Sequence, residues 1–541
     1  MRGRTNRRSA RSHVVWALVV LVAATLPAAP AEGADKVLKG AWFRVESDHL
    51  IVYGDGSRAS VAGLARDLEI FRTVALGLLP NAKPPPDEKV VVFALRDGFS
   101  LERYGLREMR GRSSVALGWA VVRPARAWLV MVAPSKKAGR WIGFHEYAHY
   151  ITRRSAPFLP SWLTEGLAEY WGTLRIERDG ALRLGGPNHT RLKTLHERAW
   201  PDLELMLSVR SLHGRPTLYA MAWAFAQYAA TVEPALTRAL PDYLARVRGD
   251  EPAVAFEAAF GRTPRDMHVQ LEEYVRQDRF AAVRFRLKVT PTVDALDVRR
   301  ATVAEVGTEL GMVHLVAGKR VELARALFER VLEEDPRAAR AIAGLAVLDG
   351  DEHPEVTARF DRALEAAPED GLVLRLAVES AIVLARRSGG DDSLWGRVVD
   401  LLRRTTEAEP RELHAARLYG ELAIMGRVER KPAIVALERS LASGPTPGPA
   451  AEVLHVLYLR EDRREDARLM HLRLMVRSDD PEFVGRSLRR VVNAELRYLD
   501  DLLRDGRGAE AAAHCLELRR RSAPVWAEEM EPYCDEPTPP L

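Results

Sequence analysis

In the stretch Gly143 to Trp171, "GFHEYAHYITRRSAPFLPSWLTEGLAEYW", His145 and His149 stand four residues apart, and past a proline break Glu165 and Glu169 repeat the interval. On a helix that interval brings both imidazoles onto one face, within reach of a single ion. His145-Glu146-Tyr147-Ala148-His149 is thus the H-E-x-x-H pattern that suits Zn²⁺. At about 100° per residue, Phe144, Tyr147, Ala148 and Ile151 fall in a separate sector. The helix then has one side for a core and another for a metal. Glu146 lies at the far edge of the histidine face, beside a bound ion instead of on it. That is the place of a general base acting on an activated water.

A catalytic zinc takes three protein ligands and keeps one position open. "PSWLTEGLAEYW" supplies the third, because it predicts a helix opening at Pro160 and Ser161. Leu163, Leu167, Tyr170 and Trp171 take one side of it, Glu165 and Glu169 the other. Glu165 is the expected third ligand. Glu169 is the expected carboxylate behind the metal, accepting the outer N–H of a ligand histidine and setting its tautomer. The reverse assignment of the two glutamates stays open. Gly166 predicts a close approach of this helix to the histidine helix. The bland reading, two amphipathic helices with ordinary polar residues, predicts the same apolar faces but no convergence of the polar ones.

These helices need a scaffold. "AWFRVESDHLIVY" (41–53), "VVVFAL" (Val90 to Leu95) and "GWAVVRPARAWLVMVA" (Gly118 to Ala133, broken by Pro124) predict strands, and "ASVAGLARDLEIFRTVALGLLP" from Ala59 predicts a helix ending at Pro80. Helices follow from Leu218 to about Phe280. The elements amount to an α+β domain over 36–285, with 286–297 as connector. The strand within Gly118 to Ala133 is either an edge that pairs with an extended substrate or an ordinary internal strand. Tyr219 is a candidate oxyanion donor from its position after Glu165, with His189 and His213 as further candidates. The competing reading makes Tyr219 a packed aromatic and both histidines surface residues.

From 298 to 541 the pattern is helical and repetitive. Pro336 and Pro368 close two similar units, Phe328 and Phe360 hold the same place in each, and each unit divides into two helix lengths. This predicts a helical solenoid of roughly four to six units. Segments such as "RRSGGDDSLWG" read as insertions that disturb the spacing. A non-repeating all-α domain is the alternative.

The first 31 residues hold Arg2, Arg4, Arg7, Arg8 and Arg11, then the apolar run Val14 to Leu26, then "APA" at 29–31, the layout of a secretory signal peptide. The run is short for a bilayer span, so cleavage is expected over an uncleaved anchor, and no later segment is apolar enough to span. Without the leader, 75 basic side chains stand against 75 acidic ones, so the high isoelectric point belongs to the leader and gives no reason to expect nucleic acid or an anionic membrane as partner. The two cysteines, Cys515 and Cys534, suit a single disulfide in an oxidising compartment, periplasmic or extracellular.

"HEYAH" with "PSWLTEGLAEYW" resembles the gluzincin zinc peptidases. The wider pattern, from "WFRVESDHLIVYGDGS" through "LYAMAWAFAQY" to "AFGRTPRDM", is similar to peptidase-MA-like bacterial proteins that often carry tetratricopeptide repeats, whose helix-pair unit the C-terminal half resembles in degenerate form. The resemblance implies a thermolysin-like α+β fold and a zinc-dependent hydrolase of peptide bonds. His145, His149 and Glu165 would hold one Zn²⁺ and Glu146 would be the base. It also implies a protein or peptide substrate, and a protein partner for the repeats. No G-x-M-E-N segment precedes the site and no x-x-G-x-x-H follows His149, which sets the chain apart from aminopeptidase N-type gluzincins and from metzincins. Two rival expectations remain: a catalytically silent zinc-binding scaffold whose solenoid does the work, and zinc-dependent hydrolysis of a non-peptide amide.

Overall fold

The computed structural model describes residues 31–79, 89–106, 118–123, 126–133, 136–155, 159–209, 211–247, 251–288, 297–351, 353–389, 391–443, 449–467, 470 and 481–521. Residues 1–30 of the expected leader lie outside the described residues, as does Cys534; Cys515 is buried and disulfide-bonded. No described helix is long and apolar enough to cross a membrane.

Helix α1 (Ala31–Leu38) precedes the hairpin β1 (Phe43–Glu46) and β2 (Leu50–Gly54), so the expected strand over 41–53 turns back on itself at Asp48. Helix α2 (Arg58–Leu78), β3 (Val90–Leu95), α3 (Gly98–Arg103), β4 (Gly118–Arg123) and β5 (Arg126–Val132) follow. Strands β2, β3 and β5 run parallel, and β4 folds back antiparallel on β5. Val90, Val92, Leu129 and Met131 face one core, while Val91, Phe93, Trp128 and Val130 face another. Both faces of the sheet are therefore covered, which is why β3 reads as an unbroken apolar run.

On the first face lie α2 and α4 (Lys136–Ser155), with the rings of Phe71 and Phe144 stacked 4.6 Å apart. Helix α5 (Ser161–Trp171) follows. Strands β6 (Arg175–Ile176) and β7 (Leu182–Gly185) come next, then helices α6 (His189–Glu197), α7 (Leu203–Ser208), α8 (Pro216–Thr231), α9 (Pro234–Arg246), α10 (Pro252–Phe260) and α11 (Pro264–Arg276). Strand β8 (Ala282–Phe285) then pairs with β7.

The connector does not separate two independent bodies. After it, β9 (Val298–Arg300) pairs antiparallel with β1 as the sixth strand of the first sheet. Helices α12 (Val303–Ala317) and α13 (Val321–Glu334) then share the sheet's second core with α1. The physical reason is the apolar back face of the sheet, which these helices bury.

Beyond it come the pairs α14 (Ala339–Asp349) and α15 (Val356–Ala366), α16 (Gly371–Arg387) and α17 (Asp392–Ala408), and α18 (Leu413–Ile424) and α19 (Arg430–Ser443). Helix α20 (Pro449–Arg460) precedes the last pair, α21 (Pro481–Arg504) and α22 (Gly508–Arg521). A helical solenoid is thus present. The stretch "RRSGGDDSLWG" holds the turn between α16 and α17 with the adjoining ends of both helices, and each of these helices, at 17 residues, is longer than the 11-residue α14 and α15. Phe328, the first of the two repeated phenylalanines, packs between units. Its ring fills the space left by Gly311 of α12 and Gly344 of α14, where a Cβ would come within 2.4 Å of the ring at either glycine. One aromatic thereby packs against its own unit and the next.

Candidate metal centre

Helix α4 sits directly on the sheet because Gly143 has no side chain: a Cβ there would be 3.1 Å from the Met131 sulfur. Phe144, Tyr147, Ala148 and Ile151 are fully buried in that contact. The opposite side of the helix carries His145 and His149, whose Nε2 atoms lie 3.1 Å apart. Glu165 of α5 approaches both, its Oε2 being 3.4 Å from His149 Nε2 and 3.8 Å from His145 Nε2. One ligand atom from each of these residues falls within 4.8 Å of the other two, and the three form the one metal-capable group of His, Cys, Asp and Glu among the described residues.

Glu169, one turn along α5, is completely buried and its Oε1 lies 3.6 Å from His145 Nδ1. With Nδ1 turned to a carboxylate, His145 presents Nε2 to the cluster. Trp141, one turn before His145, lies against its imidazole with ring centroids 5.6 Å apart.

Two residues that the sequence reading missed hold Glu169 in place. Asn188 caps α6, accepting from the Arg191 backbone N–H at 3.3 Å, and donates its amide to Glu169 at 3.0 Å. The Arg191 guanidinium pairs with the same carboxylate. Its other flank lies over the Tyr219 ring, 5.3 Å from the centroid. The Asn188 cap was legible as a helix start in "PNHTR". Nothing in that string shows that the cap faces α5.

Tyr219, on α8, is brought to the site, close enough to Glu165 for the carboxylate's charge to act on its phenol. Burial, then the Glu165 charge, pushes its phenol well above the ordinary range. His189 and His213 are exposed and neither joins the metal-capable group.

Charge at the site follows from its burial. Desolvation, and then the facing His149, pushes His145 down to about 3. Burial also acts to lower His149, but its pairing with Glu165 outweighs this and leaves it raised. Glu165 is the mirror case: burial acts to raise it, and His149 outweighs that and leaves it lowered. Desolvation pushes Glu146 up to about 7. An arrangement of two imidazoles facing one carboxylate, backed by a second, can hold a divalent cation and keep a further carboxylate next to it.

Strand β4 stands at the edge of the described sheet, and its first residue touches this site. A Cβ on Gly118 would lie 2.5 Å from Ile142 and 3.1 Å from Glu146 Cγ. The glycine lets the edge pass alongside Glu146.

The expected role of Gly166 needs correction. Its missing Cβ faces α8, where a methyl would be 2.6 Å from the Ala222 carbonyl oxygen, and not α4. Backbone oxygen cannot yield as a side chain can, so Gly166→Ala should push α5 away from α8 and carry Glu165 with it. The expected cost is about 1–3 kcal/mol of stability together with weaker metal binding. Thermal unfolding and a metal titration check both; an unchanged metal affinity would show that this contact does not set Glu165.

No protein-family model matches the chain, and no curated protein matches it. Among solved structures, one described as "Functional Characterization of Pseudomonas Aeruginosa pilF" is similar at 18% identity, covering 42% of this chain and 97% of the other, with a TM-score of 0.27. That is too slight a likeness to bear on fold or function.

Proposed function

We propose that the chain is an exported zinc-dependent metallopeptidase of gluzincin type that hydrolyses peptide bonds, with a tetratricopeptide-like solenoid that engages a protein partner or substrate. One observation carries the reading: His145 Nε2, His149 Nε2 and Glu165 Oε2 converge with separations of 3.1, 3.4 and 3.8 Å. Zinc bonds of about 2.0–2.1 Å in tetrahedral array require ligand atoms about 3.3 Å apart. The donor set, two imidazoles and a carboxylate, suits the same ion.

A bound Zn²⁺ supplies Lewis acidity, which activates water and polarises the scissile carbonyl. The chain's own residues do the rest. Glu146, adjacent to the ligands on α4, takes the proton of the attacking water and returns it to the leaving amine. Glu169, with its Oε1 3.6 Å from His145 Nδ1, favours the tautomer that leaves Nε2 free for the metal, and Asn188 and Arg191 keep that carboxylate aimed. The edge that β4 forms in the described sheet, running past Glu146, accepts an extended peptide as an added strand.

The test is digestion of an unbiased peptide library by residues 32–541, with and without a chelator. Cleavage that the chelator abolishes and zinc restores is the expected result. Stoichiometric zinc without cleavage of any library member would overturn hydrolysis and leave a zinc-holding scaffold.

A further inference from the structure

Where the first and second repeats of the solenoid meet, α13, α14 and α15 border a groove of about 520 Å³. Leu332 of α13 and Ile342 and Leu345 of α14 supply its apolar lining. The charges on its wall are unequal. Arg337, in the turn after α13, and Arg359 and Arg362 of α15 stand against one carboxylate, Glu365.

Arg359 is held by Asp349 and lies 3.6 Å from Glu355, and neither acid lines the groove. Arg337 and Arg362 are exposed and make no ion pair among the described residues. Acids on the neighbouring stretches of α13 and α15 are engaged away from these two side chains. Glu333 and Glu334 pair with Arg330, Asp361 pairs with Arg397, and Asp335 accepts from the Arg337 backbone N–H at 3.0 Å. The wall therefore carries two more guanidiniums than carboxylates, beside an apolar floor.

We propose that this groove is a docking site for an acidic peptide segment of a partner protein. Its carboxylates seat on Arg337, Arg359 and Arg362, and the apolar side chains between them lie on Leu332, Ile342 and Leu345. A guanidinium presents paired N–H donors that match a carboxylate, so an excess of arginine on the wall selects for acids. The apolar floor favours a peptide over a small inorganic anion, because side chains between the acids gain burial there. The inference deepens the reading of the solenoid as a partner-binding element. It does not depend on hydrolysis, so either can fail without the other.

The probe is a fluorescent hexapeptide alternating glutamate and leucine, with glutamine–leucine and glutamate–glycine hexapeptides as controls. Its anisotropy is followed with the full chain from residue 32, at low and raised salt, and mass spectrometry of the recovered probe shows that it is intact. The glutamate–leucine peptide should bind better than either control, with affinity falling as salt rises. Arg337→Glu combined with Arg362→Glu, both at exposed positions, should weaken binding about tenfold or more and leave thermal unfolding unchanged. Arg403→Glu on α17, outside the groove, should leave binding unchanged.

Equal binding of the glutamine–leucine peptide would overturn the proposal by making the occupant simply apolar, and equal binding of the glutamate–glycine peptide by making it any anion. Binding indifferent to the double arginine variant would also overturn it, because the probe would then sit elsewhere on the chain.

Discussion

Glu146→Gln should leave zinc binding intact and lower peptide turnover by about 10²- to 10⁴-fold. The substitution keeps the size and shape of the side chain, so the contact of Gly118 with Glu146 Cγ and the packing of Ile142 are undisturbed. What it removes is the carboxylate that takes and returns the proton. The ligand atoms belong to His145, His149 and Glu165, so the metal should stay. Zinc content of the purified variant and its rate on a peptide cleaved by the parent chain are the two measurements. Retained zinc with lost rate is the expected pair. A variant as fast as the parent would rule Glu146 out as the base, and loss of zinc would mean that the charge of Glu146 helps to hold the ion.

The second large effect concerns the junction of sheet and solenoid. Glu309→Ala should cost about 3–5 kcal/mol, the scale for removing one partner of a buried ion pair. Glu309, on α12, is buried at the back of the sheet, where it pairs with the buried Arg126 of β5 and accepts from Trp128 Nε1 at 2.8 Å. Arg340 of α14 reaches the same carboxylate at 2.9 Å and also holds Asp370, the cap of α16.

Alanine at 309 would leave Arg126 charged in an apolar interface without its carboxylate. The double variant Arg126→Met with Glu309→Leu removes both charges and should recover much of the loss. A single variant within about 1 kcal/mol of the parent would show that water or a rearranged arginine satisfies the site. The pH dependence has a fixed sign. Burial acts to raise Glu309, but Arg126 and Arg340 outweigh it and leave it below its ordinary 4.5. Its contribution is therefore present above about pH 4.5 and lost as the pH falls through the lower folded value.

Residues close in sequence were the legible part of the site. His145 and His149 share a helix face by spacing alone, and the apolar sector of the same helix identified its buried side, because period and burial are local properties of a helix. Glu165 and Glu169 were legible as one face of the next helix. What that face meets was not. Arg191 and Asn188 lie some twenty residues beyond Glu169 on another helix, and no periodicity carries information between helices. Gly166 shows the limit most clearly: the sequence announces a close approach but not the neighbour, and the neighbour is Ala222 of α8 instead of the histidine helix.

The elements themselves followed the same division. β3, the pair β4 and β5 around Pro124, α2 and the helix pairs of the C-terminal half were all readable from runs, breaks and period. The turn within 41–53 was missed, since a short hairpin between two apolar strands looks like one strand when no Gly or Pro marks it. The return of β9 to the first sheet was hidden for a different reason. Three residues carry too little pattern, and their pairing with β1 joins positions more than 250 residues apart.

By itself, then, the sequence determined the local chemistry: which side chains lie on one helix face, where helices begin, and where a repeat recurs. It could do so because those properties depend on neighbours within a turn or two. Only the tertiary structure decided that α4 and α5 turn their polar faces to each other, that Arg191 and Asn188 hold Glu169, that β4 is an edge beside Glu146, and that the first repeat closes the back of the sheet. Each of those rests on surfaces meeting across distant stretches of chain, where packing and the pairing of buried charges choose the partner.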